Sequence, residues 1–443
     1  MTMGAIQSIV QYKIPDLYWQ WGILIFLILL MTTYGGFAFW FYKEYSMFTE
    51  TPNSIATLLS VRRNALGSIP AASFVSVTAN LPTENSPLPG GQPPWSLMKR
   101  ENQALRNWRP LTVRLVGYLG GSNGLENGVF DMNFGVTSAL KLGARCFLFD
   151  IDYLEAAPCR PLLLYRDKTG YKRSLNSGSI LEGMTSLSNN AFTNNTDPIL
   201  IILYLHRVPP GNKQKERFFL NLAQSLKPLA TNHLGSLNGN NYFSCGKEDT
   251  LFSSPITTYQ QKFIVCVNYD TSQLGATTNL TDNLHYWNNA RIYQDPQGID
   301  ATLGSVTPSV ANGGQARIKV ASTDQIINLS STGSPTPQAA YATGCSSVFT
   351  ISLAPPEYEY TNAKMETLLN ILGVQCVPLD VLSLGTNPNH AAANAEILTN
   401  KPITATGFTR VDLSTDNSTS KKDPLSYWYY APWSFKNIAN YVE

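Results

Sequence analysis

Charge is what this sequence has least of. Only 14% of its 443 residues are Asp, Glu, Lys or Arg, and the formal net charge is +2. No block of like charge occurs, so neither a basic stripe for nucleic acid nor an acidic tail is present, and nucleic acid is not an expected partner. Cysteines are few and scattered (Cys146, Cys159, Cys245, Cys266, Cys345, Cys376), with no CxxC pair. That spacing excludes a zinc knuckle and argues against a disulfide framework in a chain this long. Cys146, Cys266 and Cys376 fall inside apolar runs, where a thiol serves as a small buried hydrophobe. Histidine is also scarce, with four in the chain (His206, His233, His285, His390). "GYLGGSNG" (117–124) lacks both the Lys-Ser/Thr of a P-loop and the GxGxxG spacing of a dinucleotide fold.

What is abundant is Asn, Ser, Thr, Gly and Pro, and one long uncharged run. From Leu17 to Tyr42 the chain reads "LYWQWGILIFLILLMTTYGGFAFWFY" without a single charge. As a helix it extends about 39 Å at 1.5 Å per residue, enough to cross a hydrocarbon core of about 30 Å with some tilt. Trp19 and Trp21 at one end and Trp40 and Tyr42 at the other resemble interfacial aromatic belts. Lys13 is offset by Asp16 and bulky aromatics follow the apolar core, so an uncleaved single-pass anchor is expected rather than a signal peptide. Lys43, Arg62 and Arg63 outnumber Lys13, which places the C-terminal bulk on the cytoplasmic side.

This reading divides the chain into four segments: 1–16, the anchor 17–42, a tether 43–105, and a domain 106–443. The tether carries Pro52, Pro70, Pro82, Pro87, Pro89, Pro93 and Pro94 and reads as extended. Beyond it, strand-like and helix-like patterns alternate. Strands are predicted at 112–119, 145–152, 160–167, 197–206, 262–269, 347–354 and 374–381. Helices are predicted at 135–144, 179–192, 215–229 and 363–373. Polar insertions interrupt near 233–250 and 295–345. Sequons at Asn194, Asn279, Asn328 and Asn417 are no more than such a composition yields by chance. The tail "YWYYAPWSF" (427–435) suits either packing under the domain or a protein or membrane contact. The alternation predicts a parallel α/β fold closed into a TIM-like barrel.

The order of segments resembles the catalytic barrel of phosphatidylinositol-specific phospholipase C. "GARCF" (143–147) is similar to that family's G-x-R-x-hydrophobic strand entry, Tyr165-Arg166-Asp167 to its Y-H-G corner, and Ala191-Phe192 to its "AF" helix end. "PILIILYLH" (198–206), "VPPGNKQKERFFLNLAQSLK" (208–227), "LFSSPITTYQQKFIVCV" (251–267) and "GVQCVPLD" (373–380) come next, in the family's order. The resemblance implies a phosphodiesterase mechanism with two histidines as proton carriers and, in one branch, Ca²⁺ held by acids. Carried over by position, the first histidine is Leu119 and the second Arg166. The calcium-binding acids are Leu148 and Tyr204, with Asp150 retained. The expectation is therefore a catalytically degenerate barrel with no catalytic residue, cofactor or metal, and Asp150 a weak calcium candidate.

A rival constellation is Asp152 and His206 joining Asp150 and Arg166 at the barrel mouth. The alternative to it is an Asp150–Arg166 ion pair with His206 a loop residue. An anchored, degenerate barrel of this low-charge composition suggests a minor capsid protein of a large DNA virus. Such a protein would link an internal virion membrane to capsid or other scaffold proteins. A membrane-bound phosphodiesterase with a rebuilt site, which would use Ca²⁺, or a head-group binder is the alternative.

Overall fold

The computed structural model describes residues 16–48, 52–66, 76–80, 104–121, 124–167, 170–236, 250–294 except 272, 273 and 276, 318–331, 349–355, 374–380 and 435–437, with single residues between 358 and 382. Helix α1 runs from Asp16 to Phe48, and its stretch Tyr18–Phe39 is long and apolar enough to cross a membrane. Trp19 and Trp21 are exposed, like the rest of this stretch, and the side chains of Trp40 and Tyr42 lie outside the described residues.

The barrel is parallel throughout. Its staves are β2 (Thr112–Arg114), β5 (Cys146–Leu154), β7 (Ile199–Leu205), β8 (Phe263–Val267), β9 (Ala290–Gln294), β10 (Ile318–Ser322) and β11 (Phe349–Leu353), hydrogen-bonded in that order. Strand β6 (Ala157–Leu163) is not a stave; it folds back antiparallel on the end of β5. The eighth stave is the segment Val374–Asp380, which bridges Ile351 at Cys376 and Val113 at Leu379, both in parallel. Four backbone hydrogen bonds hold it: Ser352 N to Cys376 O, Cys376 N to Thr350 O, Leu379 N to Thr112 O and Arg114 N to Leu379 O. The ring is thereby closed.

Side chains alternate across this ring because successive Cβ atoms on a strand point to opposite faces. Cys146, Leu148, Leu200, Ile202, Tyr204, Ile264, Cys266, Ile351 and Cys376 fill the interior. Phe147, Phe149, Ile201, Leu203 and Val265 face outward, under α3 (Met132–Lys141), α4 (Ile180–Asn190) and α5 (Asn212–Ser225). The two faces explain why β5 and β7 read as unbroken apolar runs. The sulfurs of Cys146 and Cys376 lie 3.8 Å apart, and burial pushes the Cys146 and Cys266 thiols up, so these cysteines are inert core residues.

Besides β9, which the sequence reading left unassigned, and β6, which it read as one of the alternating strands, three elements differ from the sequence reading. The predicted strand 112–119 breaks at Arg114, because Leu115 (φ 49°) and Gly117 (φ 85°) adopt left-handed backbone and turn the chain out of the barrel. A Cβ on Gly117 would press on the Asp131 carbonyl at 2.8 Å, and one on Gly135 of α3 would strike the Gly117 backbone at 2.2 Å, so both positions stay bare. The chain then forms the antiparallel hairpin β3 (Tyr118–Gly121) and β4 (Gly124–Phe130). Second, β10 and helix α6 (Thr323–Ser331) lie inside the segment taken as a polar insertion; only Ile318 and Val320 of β10 face the apolar interior, too few to register as a run. Third, the tether is not wholly extended. Helix α2 spans Pro52–Leu66, with proline at the first helical position where its missing N–H costs nothing, and a helical turn covers Val77–Asn80. Leu58 and Leu59 pack on the barrel's outer layer and Arg63 pairs with Asp131, the N-cap of α3. Of the aromatic tail, Phe435 begins the short strand β12 (Phe435–Asn437), which pairs antiparallel with β1 (Trp108–Pro110); the rest lies outside the described residues.

Beneath the barrel, His233 is fully buried and donates from Nε2 to the Trp287 carbonyl at 2.9 Å. Burial lowers its pKa from 6.5 to about 4 against that hydrogen bond, so the folded protein holds it neutral. The unfolded chain takes up a proton below pH 6.5 and the folded one does not, so stability is full above that pH and falls between 6.5 and 4. The loss attributable to His233 should reach about 3 kcal/mol. Urea titrations from pH 7 to pH 4, compared with His233→Gln, check this: the variant should lack that part of the pH dependence.

Candidate functional site at the barrel mouth

In a parallel barrel, side chains at the C-terminal strand ends converge on one mouth. Asp150 and Asp152, two residues apart on β5, both face it. Asp150 lies opposite Tyr204 of β7, and the ladder continues to His206, whose N–H bonds Ile151 O. Arg114 ends β2 on the other side.

Arg114 organises the site. Its guanidinium grips Asp150 with both arms, Nε to Oδ2 at 2.8 Å and Nη2 to Oδ1 at 2.6 Å, and donates from Nη1 to the Ala354 carbonyl beyond β11. Both partners are buried, at 7% and 5% exposure. His206 Nε2 lies 2.7 Å from Asp150 Oδ1. Burial alone would raise the Asp150 carboxyl, but Arg114 and His206 outweigh it and hold it well below the usual carboxylate range.

Asp152 forms a second cluster. It accepts from Arg166 Nε at 2.5 Å and from Arg207 Nε at 2.7 Å. Arg166 also donates to Gly170 O at 3.0 Å. Arg207 reaches Glu155 at 2.7 Å and Tyr153 O at 2.8 Å, and lies over the Tyr153 ring. Burial opposes the Arg207 charge, but Asp152 and Glu155 overcome it and raise its pKa, while Arg207 lowers that of Glu155.

The residues singled out from sequence thus separate. Asp150 and His206 come together, as the rival constellation proposed. The expected Asp150–Arg166 pair does not form: Arg166 takes Asp152, and Arg114 takes Asp150. Leu119 is buried in the β3–β4 hairpin. Leu148 and Tyr204 are buried in the apolar interior, the Tyr204 ring edge-on to His206 at 5.1 Å. Arg114 and Arg207 were missed. Arg114 carried a signal, being the one charge inside "TVRLV" and on the inward parity of its strand.

Two chemistries can be tested against this geometry. Calcium takes six to eight oxygen ligands. Here Leu148 offers none, Tyr204 a phenol, and both Asp150 oxygens are committed to Arg114, so these residues do not fit the ion. Among the described residues no group of three or more His, Cys, Asp or Glu is placed to hold a metal. Paired acid–base catalysis needs two proton carriers. His206 is one; Arg166, in the second place, is bound to Asp152, and a guanidinium does not serve as a proton carrier.

No protein-family model and no curated protein matches the chain. Solved structures do overlap with it. PLC21 of L. pealei shares 10% identity over 65% of this chain, with a TM-score of 0.44, and the chain spans 35% of that protein's length. A calcium-dependent phosphoinositol-specific phospholipase C from a Pseudomonas species shares 10% identity over 70% of this chain and 95% of its own, at TM-score 0.38. A Ca²⁺-dependent phosphatidylinositol-specific phospholipase C from Streptomyces antibioticus shares 11% identity over 66% and 97%, also at 0.38. The fold class follows from the chain's own strand ladder: an α/β, TIM-barrel-like domain preceded by one helix long and apolar enough to span a membrane.

Removing Arg114 would leave Asp150 buried without its main partner. Arg114→Leu should cost about 3–5 kcal/mol, and Arg114→Leu/Asp150→Leu should recover most of it. Denaturant unfolding of the two variants checks this. The depressed Asp150 value means that the pair's contribution persists above the unfolded carboxyl's pKa, about 3.9, and is lost only as the pH falls below it.

Proposed function

We propose that the chain is a membrane-anchored scaffold protein whose barrel does not turn over phosphodiesters. One observation carries this reading: Arg114 occupies both oxygens of Asp150, the single acid retained from the phospholipase pattern. At the mouth Arg114, Arg166 and Arg207 pair with Asp150, Asp152 and Glu155, and Nη2 of Arg166 is buried without a hydrogen-bond partner. Ion pairs of this kind rigidify a barrel end. The apolar N-terminal helix supports attachment to a bilayer, and the low-charge, Asn- and Thr-rich composition supports a place in a virion. There the protein links an internal membrane to capsid proteins on the cytoplasmic side of the anchor.

The full chain in phosphatidylinositol vesicles should release no inositol phosphate above the protein-free rate, with or without Ca²⁺. Turnover that disappears in His206→Ala would overturn the reading in favour of a rebuilt phosphodiesterase. In purified particles the chain should stand in fixed ratio to the shell protein and be extracted only when detergent dissolves the membrane.

A further inference from the structure

The segment after the anchor docks on the barrel through a small set of specific contacts. Arg63 pairs with Asp131, and Leu58 and Leu59 lie on the outer core layer. At its far end, Ser76 Oγ donates to Asp197 Oδ1 at 2.8 Å and Thr78 N to the same oxygen at 2.7 Å. The Thr196 hydroxyl lies 2.6 Å from that of Ser76 and 3.0 Å from that of Thr78. Asp197 is fully buried and faces the buried Arg145. The described residues 57–66 and 76–80 thus sit like bound peptide on sites built by the barrel.

The connector from that peptide to the barrel is longer than its path requires. The turn Val77–Asn80 packs against Ile256–Tyr259, and Ala104 pairs with Pro255, the residue next to that segment. The two ends of residues 81–103 therefore lie beside consecutive residues of one short stretch, a gap that a handful of residues would bridge. Those 23 residues (103 − 80) have a contour of about 75 Å at 3.3 Å each. That excess lets the docking site reach the peptide of a neighbouring chain as well as its own.

We infer that the docked segments 57–66 and 76–80 form an exchangeable strap, and that the site around Asp131, Thr196 and Asp197 takes the strap of a second copy of this chain. This is reciprocal exchange of an identical element, which creates no contact absent from the single chain. The proposal goes beyond the scaffold reading and stands whether or not the barrel has turnover. A connector of this length gives docking within the chain an effective concentration on the order of millimolar. Exchange is then slight among dilute micelles and grows with surface density on a membrane.

The test uses full-length chains carrying Ser76→Cys or Thr196→Cys, positions whose hydroxyls touch. The two single variants, mixed and reconstituted in vesicles under mild oxidation, should give a disulfide-linked dimer whose share rises with the protein-to-lipid ratio. Wild type, each variant alone, and Ser76→Cys mixed with the exposed, remote Leu181→Cys set the collision background, which the specific pair should exceed several-fold. The double variant, dilute in micelles, should close within one chain. If it does so while the mixed singles stay at background at every density, the strap is fixed to its own barrel and the inference fails. If the double variant melts like wild type yet closes neither within nor between chains, the docking itself is refuted.

Discussion

The buried pair between Arg114 and Asp150 is the constraint on which the mouth of this barrel depends. Two charges withdrawn from water are tolerable only when matched in geometry and hydrogen bonds. The bidentate grip supplies the match, and the third bond, to the Ala354 carbonyl, extends it. Through one side chain the ends of β2, β5 and β11 are fixed to one another. His206 can then rest on Asp150 as a further ligand of a carboxylate already neutralised. The same arrangement that stabilises the mouth removes the free carboxylate that metal or proton chemistry would need.

The abundance of asparagine also has a structural use. Where strand pairing ends, side-chain amides continue it. Asn268 accepts from Leu205 N–H at 2.7 Å and donates to Leu205 O at 3.1 Å, copying a backbone pair beyond the end of β8. Asn289 accepts from Val265 N–H ahead of β9, and Gln375 accepts from Thr350 N–H beside the eighth stave. An amide carries both a donor and an acceptor without charge, so it satisfies buried backbone groups at the barrel ends at little electrostatic cost. A low-charge sequence can therefore build a large polar periphery.

The barrel was legible in the sequence wherever burial on both faces made it redundant. "RCFLFDID" and "DPILIILYLH" needed no context to read as inner staves, and the segment 374–381 was placed correctly as the last. β10 was hidden because its inward positions are few and its neighbours polar. Helix α2 was hidden by Pro52, which starts a helix instead of breaking one. At the mouth, Asp150, Asp152, Arg166 and His206 were identifiable as residue types on the right strand ends. Their pairing was not, because it turns on Arg114, whose strand is three residues long and ends at a left-handed Leu115. Spacing along the chain carries no sign of where the backbone leaves the barrel.

The eighth stave has a consequence for how the molecule comes to exist. Its ties run to Val113 and Ile351, so the ring joins a strand near the start of the domain to one some 260 positions later in the chain. Contacts of such separation are slow to form, since the loop they close must be ordered first. During synthesis, β2 and β5 emerge long before their closing partner, and the free edge of β2 stays open to mispairing until residue 379 arrives. Slow maturation, more than the modest count of bonds in the finished ring, is the penalty of building a closed cylinder from the two ends of a domain.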